Sequence, residues 1–301
     1  MSSQVPIDAR SMWTVFEPVH AVAYFALHVR QAFEDAGVRG FWRAYFAGRA
    51  APLGSVGAHP IHAAFQSFTL GMVERALPVV WELIAPADAW ALRTRAAGIS
   101  IAASSEGIDA NELAAVATVL REVAERLDPI GRPFFAAHLD LPWPPGVHEA
   151  IWHACTLLRE HRGDGYVAAC LVEGFTALEM MVLADRLETT PSGHAITNRG
   201  WSSEDWDACV ETMTQRGLLD ESGAPTAEAL QRRALIEEHT DALAGEAWSE
   251  TNKRELAATY DVLRGLTDRV AANGWLTYPN AVGVPNPRSS CRDQQRDCQI
   301  P

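Results

Sequence analysis

Apolar residues recur along this chain at steps of three and four, the spacing of one face of a helix, and alternating β-branched runs are almost absent. Ala, Leu, Glu and Arg, all good helix formers, dominate the periodic segments. The first segment predicts a helix from about Ile7 or Asp8 to about Ala36, stopped at Gly37, with a kink or restart near Phe16 imposed by Pro18. On it Trp13, Glu17, His20, Tyr24 and His28 share one face. Further helices are predicted over 41–50, about 60–76, 79–83, 86–97 and 109–127, the last with Asp109 as its N-cap.

The stretch Asp128 to Gly146 holds Pro129, Gly131, Pro133, Pro142, Pro144 and Pro145, so it predicts an internal boundary with no long element. After it a helix over 147–162 is expected to end at Gly163-Asp164-Gly165, with another from Tyr166 to about Leu187. A loop over 189–193 and a short helix lead to Ser202, an N-cap with Asp205 three residues on, and to a helix ending at Gly217. Leu218 to Thr226 reads as a very short two-stranded wing, followed by helices over about 227–244 and 252–272 and an irregular tail from Tyr278. The reading is an all-α chain with a minimal β-wing. Its parts are an N-terminal helical domain over 1–135, a second helical domain over 136–285 and a disordered tail over 286–301. Arg39-Gly40 and Arg162-Gly163 each follow a helix bearing histidines and precede another helix, a weak repeat that suggests a two-copy, pseudo-dimeric origin.

Composition narrows the classes of function. With 48% apolar and 21% charged residues over 301 positions the chain can build a core. A net charge of −13 and the lack of any Lys/Arg run disfavour nonspecific contact with nucleic acid or anionic lipid. The N-terminus lacks the pattern of a secretory signal and no stretch reaches the roughly 20 apolar residues of a bilayer span, so a cytoplasmic protein without a membrane partner is expected. Cys155, Cys170 and Cys209 sit in helical patterns as small core residues. Cys291 and Cys298 lie in the tail, as a free pair or a loop disulfide.

The segment from Trp201 to Arg233 is patterned like a DNA-reading winged helix but carries the wrong charge. Between Trp201 and Ser222 stand Glu204, Asp205, Asp207, Glu211, Asp220 and Glu221 against one base, Arg216. A surface that grips DNA has to neutralise phosphates, so direct DNA binding is not the expected use.

Four segments, FEPVHAVAYFA, RGFWRAYFAGRAAPLG, LREHRGDGYVAA and RGWSSEDW, together resemble a mostly uncharacterised actinobacterial helix-turn-helix family related to MarR-type winged-helix regulators. The resemblance runs to about Pro287 and implies an all-helical fold with a winged-helix core, without implying an activity. Tyr166 stands where the family pattern has His.

Several constellations could carry chemistry. Glu17 and His20, at Glu-x-x-His spacing, put a carboxylate and an imidazole on one helical face, either as a satisfied buried pair or as a base or ligand with Tyr24 nearby. A di-iron bundle needs two such motifs and two more glutamates, and only this one is found. Arg43 and Arg49 flank the aromatic face of Trp42 and Tyr45; Arg49 would bind a carboxylate or phosphate, or else pair with Glu17 or another acid. His148, His153 and His161 are spaced by five and eight, unlike a helical zinc site, although Glu149, His153, Thr156 and Glu160 share a face. His161 and Asp164 could wall a pocket near His20, or Asp164 could pair with Arg162 at a helix end. No cofactor is named by any of these, and no P-loop, Rossmann or nucleophile-elbow motif occurs.

The leading expectation is a small-molecule-binding protein or enzyme on a winged-helix scaffold that has lost DNA binding, as a monomer or homodimer. Glu17, His20 and His161 would act as acid, base or ligand; Tyr24, Trp42, Tyr45, Arg49, His153 and Asp164 would hold an apolar or anionic ligand. The alternative is a ligand-responsive MarR-like regulator that binds DNA. An interaction module docking a basic partner on the acidic face is a third.

Overall fold

In the computed structural model the described residues are 7–286, so Cys291, Cys298 and most of the expected tail lie outside them. Asp8 opens α1 (Ala9–Phe25): its carboxylate accepts from Ser11 N–H at 2.8 Å while the Ser11 hydroxyl accepts from Asp8 N–H at 2.7 Å. The helix does not break at Pro18. Pro18 is buried, so packing around its ring offsets the missing hydrogen bond; the break comes at Ala26, where ψ of 136° leads into α2 (Leu27–Asp35). Next is α3 (Phe41–Ala50), after Gly40.

The single helix expected over 60–76 is two, α4 (Ala58–Phe65) and α5 (Leu70–Glu74), separated by Gln66 at a φ of 47°. Tertiary hydrogen bonds explain the interruption. Thr69 N–H donates to the Arg199 carbonyl at 3.0 Å, and Trp201 Nε1–H to the Ser67 carbonyl at 3.0 Å. The chain continues through α6 (Pro86–Ser104), longer than expected, and α7 (Ala110–Arg126), capped by Asp109 as anticipated. Inside the Pro-rich stretch a short α8 (Pro133–Leu139) forms.

The largest departure is α9 (Val147–Val172), which runs straight through Gly163-Asp164-Gly165. These residues serve contacts rather than a turn. A Cβ on Gly165 would lie 2.8 Å from Arg132 Nη1, which donates to the His161 carbonyl at 2.7 Å. Asp164 Oδ2 accepts from Phe134 N–H at 3.0 Å and Phe135 N–H at 2.9 Å, capping α8 from outside. Arg162 does not pair with Asp164; it meets Asp241 at 2.6 Å and Glu237 at 3.5 Å. Gly163 thus lies inside a helix whereas Gly40 precedes one, so the two Arg-Gly pairs are not structural equivalents.

The remaining elements are α10 (Ala177–Arg186), α11 (His194–Arg199), α12 (Ser203–Gln215), α13 (Ala227–Ser249) and α14 (Lys253–Ala272). Ser202 and Asp205 form the expected reciprocal cap of α12. The expected wing shrinks to one antiparallel bridge, Leu219 with Pro225, so no strand is present among the described residues. None of their helices is by itself long and apolar enough to cross a membrane.

Buried apolar residues form two clusters. The larger takes α1 to α8, the first half of α9 through Leu158, and chain from Ala244 to Val284. The smaller gathers Ala169, Cys170, Phe175, Met180, Leu183, Met213, Leu218 and Ile236 from α9, α10, α12 and α13. Two helices therefore serve both clusters, α9 and α13. Between the clusters α9 carries its polar run, Arg159 to Gly165.

Replacing Asp164 by Ala should cost about 1–2 kcal/mol, the usual worth of a helix cap. The urea midpoint is expected to fall while helical circular dichroism holds, with Asp164→Asn losing less; an unchanged midpoint for the Ala variant would remove the capping role.

Candidate functional site

A cleft of about 730 Å³ opens where the polar run of α9 emerges between the two clusters. One wall comes from α1 and α3, the other from α10, α11 and α13, with the segment 274–283 closing a side. That volume lies within the range of small-molecule sites. Among the candidates, Glu17, Tyr24, Trp42, Tyr45, Arg49 and Asp164 line it; His20, His153 and His161 do not.

The floor is a buried ion-pair chain. Glu160, 1% exposed, accepts from Arg159 and from Arg49 Nη2 at 3.5 Å. Arg159 Nε donates to Glu17 Oε1 at 3.4 Å, and Trp13 Nε1 donates to Glu17 Oε2 at 3.3 Å. Arg49 also gives Nη1–H to the Tyr45 hydroxyl at 2.8 Å and stacks on Phe65, its guanidinium carbon 3.8 Å from the ring centre. So Arg49 has an acid partner, and it is Glu160 rather than Glu17. The Arg49 Nε and Glu160 Oε1 atoms remain buried without a hydrogen-bond partner.

The two carboxylates are shifted in opposite directions. Burial alone would raise Glu160, but the charges of Arg159 and Arg49 outweigh it and hold it down at about 2. Burial raises Glu17, and the nearby Glu160 adds to that against the pull of Arg159. Such a split is what an acid–base pair requires, yet both groups are tied to Arg159.

His20 lies behind Tyr24, and its hydrogen bonds fix its tautomer. The Thr156 hydroxyl donates to the Trp152 carbonyl at 2.9 Å, so it accepts from His20 Nδ1–H at 2.9 Å. His20 Nε2 is then an acceptor and takes the Tyr24 O–H at 2.6 Å. Burial, reinforced by Arg93, Arg159 and Arg49, keeps this imidazole neutral. Tyr24 consequently has only lone pairs left for the cleft. Tyr45, which accepts from Arg49, keeps its own O–H to give. The rings sit 5.2 Å apart, an acceptor beside a donor.

The other two histidines belong to the core. His161 packs edge-on against Phe135, and burial with help from Arg132 lowers it to about 3. His153 is wedged between Trp90 and Trp143, with neither ring nitrogen bonded, and burial lowers it to about 3. No group of three or more His, Cys, Asp or Glu among the described residues could hold a metal ion.

Sequence reasoning missed Arg159, Arg93 and Arg199. Arg93, 2% exposed, lies under Tyr24 with its guanidinium carbon 5.3 Å from that ring and reaches only the Gly48 carbonyl. The signal that could have found Arg159 was the polar run LREHRGDG inside an otherwise apolar helix.

The surface of α12 bears out its charge pattern. Glu204, Asp205, Asp207 and Glu211 are all exposed. Of the bases nearby, Arg216 pairs with Glu179 and Arg232 with Glu173 and Glu228, while Arg233 lines the cleft.

Two outcomes follow for stability. Glu160→Gln leaves Arg159 and Arg49 without their buried counter-charge and should cost about 3–5 kcal/mol in urea unfolding, more than Glu17→Gln; equal losses would demote Glu160. The second concerns acid. Burial lowers His138 to about 4 and His153 to about 3, so the unfolded chain binds protons near pH 6.5 that the native protein refuses. Stability should therefore drop as pH falls from about 6.5 toward 4.5, with Glu160 adding a loss of the same sign lower down. His153→Phe should flatten the drop; an unchanged slope would show that His153 takes no part.

No curated protein and no solved structure matches this chain. The sequence profile of a helix-turn-helix family does match, over residues 9–277, most of the chain and both apolar clusters; the chain belongs to that helix-turn-helix family.

Proposed function

We propose that this is a ligand-responsive helix-turn-helix protein, in which a small molecule held in the cleft sets the position of the unit built around α12. The observation that carries the ligand half is the cleft itself. It combines an aromatic wall, a hydrogen-bond donor and acceptor at Tyr45 and Tyr24, and buried charges whose partners are incomplete. Its two walls come from different clusters, so an occupant touches both at once and can favour one arrangement of them. In this reading Arg49, Tyr24, Tyr45 and Trp42 contact the ligand, Glu17 and His20 position them, Asp164 shapes the edge, and His153 and His161 serve the core.

Family membership carries the output half. It favours DNA as the partner of the helix-turn-helix unit, over a scaffold that has given up nucleic acid. Helix α12, the single Leu219–Pro225 bridge and the start of α13 supply the parts of a small winged helix of the MarR type. The exposed acids of α12 set the terms of such binding: few phosphates are neutralised, so affinity is weak and the salt dependence shallow.

Native mass spectrometry and absorbance of the freshly purified protein should show a retained small molecule, lost on denaturation. Gel shifts on DNA from upstream of its own coding region should show weak binding at about 50 mM salt, strengthened severalfold in the double variant Glu204→Lys, Asp207→Lys. No shift from either protein would remove DNA from the reading and leave ligand binding alone. An empty cleft that also binds nothing from a small-molecule library would remove the ligand half.

A further inference from the structure

We infer that the cleft is built for a monoanionic, ring-bearing molecule whose carboxylate is received at α11 by Arg199 and His194. The inference rests on the ligand-binding reading above and names the chemistry of the molecule bound.

The first ground is charge. Five arginines line the cleft, Arg49, Arg159, Arg162, Arg199 and Arg233, against four acids, Glu17, Glu160, Asp164 and Glu237. In a chain of net charge −13 this is a local excess of one positive charge. Arg49, Arg159 and Arg162 have carboxylates within ion-pair distance. Arg233 has no carboxylate within ion-pair distance among the described residues but acts on Glu237, one turn along α13, which leaves Arg199 as the lining arginine on which no acid acts. Arg199, half-buried, has no ion-pair partner among the described residues: its Nη atoms reach only the Asn198 and Ala281 carbonyls, at 3.3 and 3.2 Å. Arg93, also without an acid, lies behind Tyr24 and adds to the field. A desolvated cation without a counter-charge is costly, and a bound anion removes the cost.

The second ground is an unanswered donor. Asn198 Nδ2–H donates to His194 Nδ1 at 3.2 Å, so the neutral ring carries its proton on Nε2. That Nε2 is buried without a hydrogen-bond partner, on a residue that is 7% exposed and lines the same cleft. His194 therefore offers an N–H group with nothing opposite, in the same lining as an Arg199 whose charge is met only by carbonyls.

The third ground is the shelf beside them. The Arg199 guanidinium carbon stands 4.4 Å from the Phe68 ring centre and 5.9 Å from that of Trp42. Trp42, Phe68 and Tyr45 form edge and tilted contacts with one another at 5.5 to 5.6 Å. These rings offer apolar area to a flat hydrocarbon body, with Tyr24 and Tyr45 beyond it to match polar substituents. A single excess positive charge, with no glycine-rich loop in the lining to cradle a phosphate, suits a carboxylate better than a phosphate dianion.

The position of Arg199 is itself fixed by the backbone. Gly200, at a φ of 84°, lies so close to the α5 cap that a Cβ there would fall 2.5 Å from Thr69 Oγ1.

The test titrates intact protein, stripped of any retained molecule, with benzoate, 2-naphthoate and 1-pyrenecarboxylate, with the primary amide of each, and with 2-naphthyl phosphate. Tryptophan fluorescence and calorimetry read the binding. At least one carboxylate should bind about ten times or more tighter than its amide, the worth of a charge-assisted hydrogen bond, and tighter than the phosphate. Arg199→Gln should bring the carboxylate down to the level of the amide and leave the amide unchanged, while Arg199→Lys keeps part of the preference. Thermal melts establish that each variant is folded; if Arg199→Gln does not fold, His194→Phe takes its place, with a severalfold loss for the carboxylate alone. Equal binding of acid and amide, or a phosphate bound more tightly, overturns the anion assignment while leaving the cleft a ligand site. Binding of no probe in either charge state overturns both.

Discussion

One constraint governs the middle of this molecule: a continuous helix carries Arg159, Glu160, Arg162 and Asp164 through the interior, between two apolar clusters. Charges placed there lose their water, and each needs a partner from another element. Glu17 of α1 and Arg49 of α3 answer Arg159 and Glu160; Glu237 and Asp241 of α13 answer Arg162; the free N–H groups of α8 answer Asp164. Four helices are thus oriented by one polar run on α9. The apolar clusters supply most of the burial, but this run sets which faces meet.

The pairing is not complete, and some of what is left over faces the cleft. Among the buried polar atoms without a partner, Arg49 Nε, Glu160 Oε1 and His194 Nε2 belong to residues that line the cleft, whereas Arg93 Nη2 and both nitrogens of His153 belong to residues that do not. His20 adds nothing to the charge there. Its tautomer, fixed by Thr156, takes up the Tyr24 proton and leaves that oxygen as an acceptor. Unmet hydrogen-bonding groups at the walls of a cavity mean something different from unmet groups in a sealed core. His153, enclosed by Trp90 and Trp143, only costs stability, whereas a molecule entering the cleft meets the residues that carry the three cleft-side groups.

Much of the fold was legible in the chain, because helical period and capping are local. The Asp109 and Ser202 caps, α3, α7, α12 and α14 follow from spacing alone. The misreadings share one cause. Gly163-Asp164-Gly165 looked like a helix stop, but Arg132 and the amides of α8, from about thirty residues earlier in the chain, turn it into helix interior. Gln66 looked helical, but Arg199 and Trp201 bind the turn around it. The site divided in the same way. Residues on the α1 and α3 faces were found because one helix presents them together. Arg159 lies 142 positions from Glu17 and Arg199 rests on ring faces of α3 and the 66–69 turn, pairings that no spacing rule can reach.

The path from cleft to α12 is short. The wall formed by α9 and α13 cannot shift freely, because each helix is packed into both apolar clusters. Three short elements, the 66–69 turn, α11 and the 274–283 segment, meet at Arg199. Arg199 gives its side chain to the cleft and its carbonyl to Thr69; two residues on, Trp201 holds Ser67, and Ser202 caps α12. A molecule that draws Arg199 inward therefore pulls on the residue three positions before the cap of α12. In the ligand-responsive reading proposed above, the acidic face of that helix would move with it, and the same guanidinium would gate whatever the face engages.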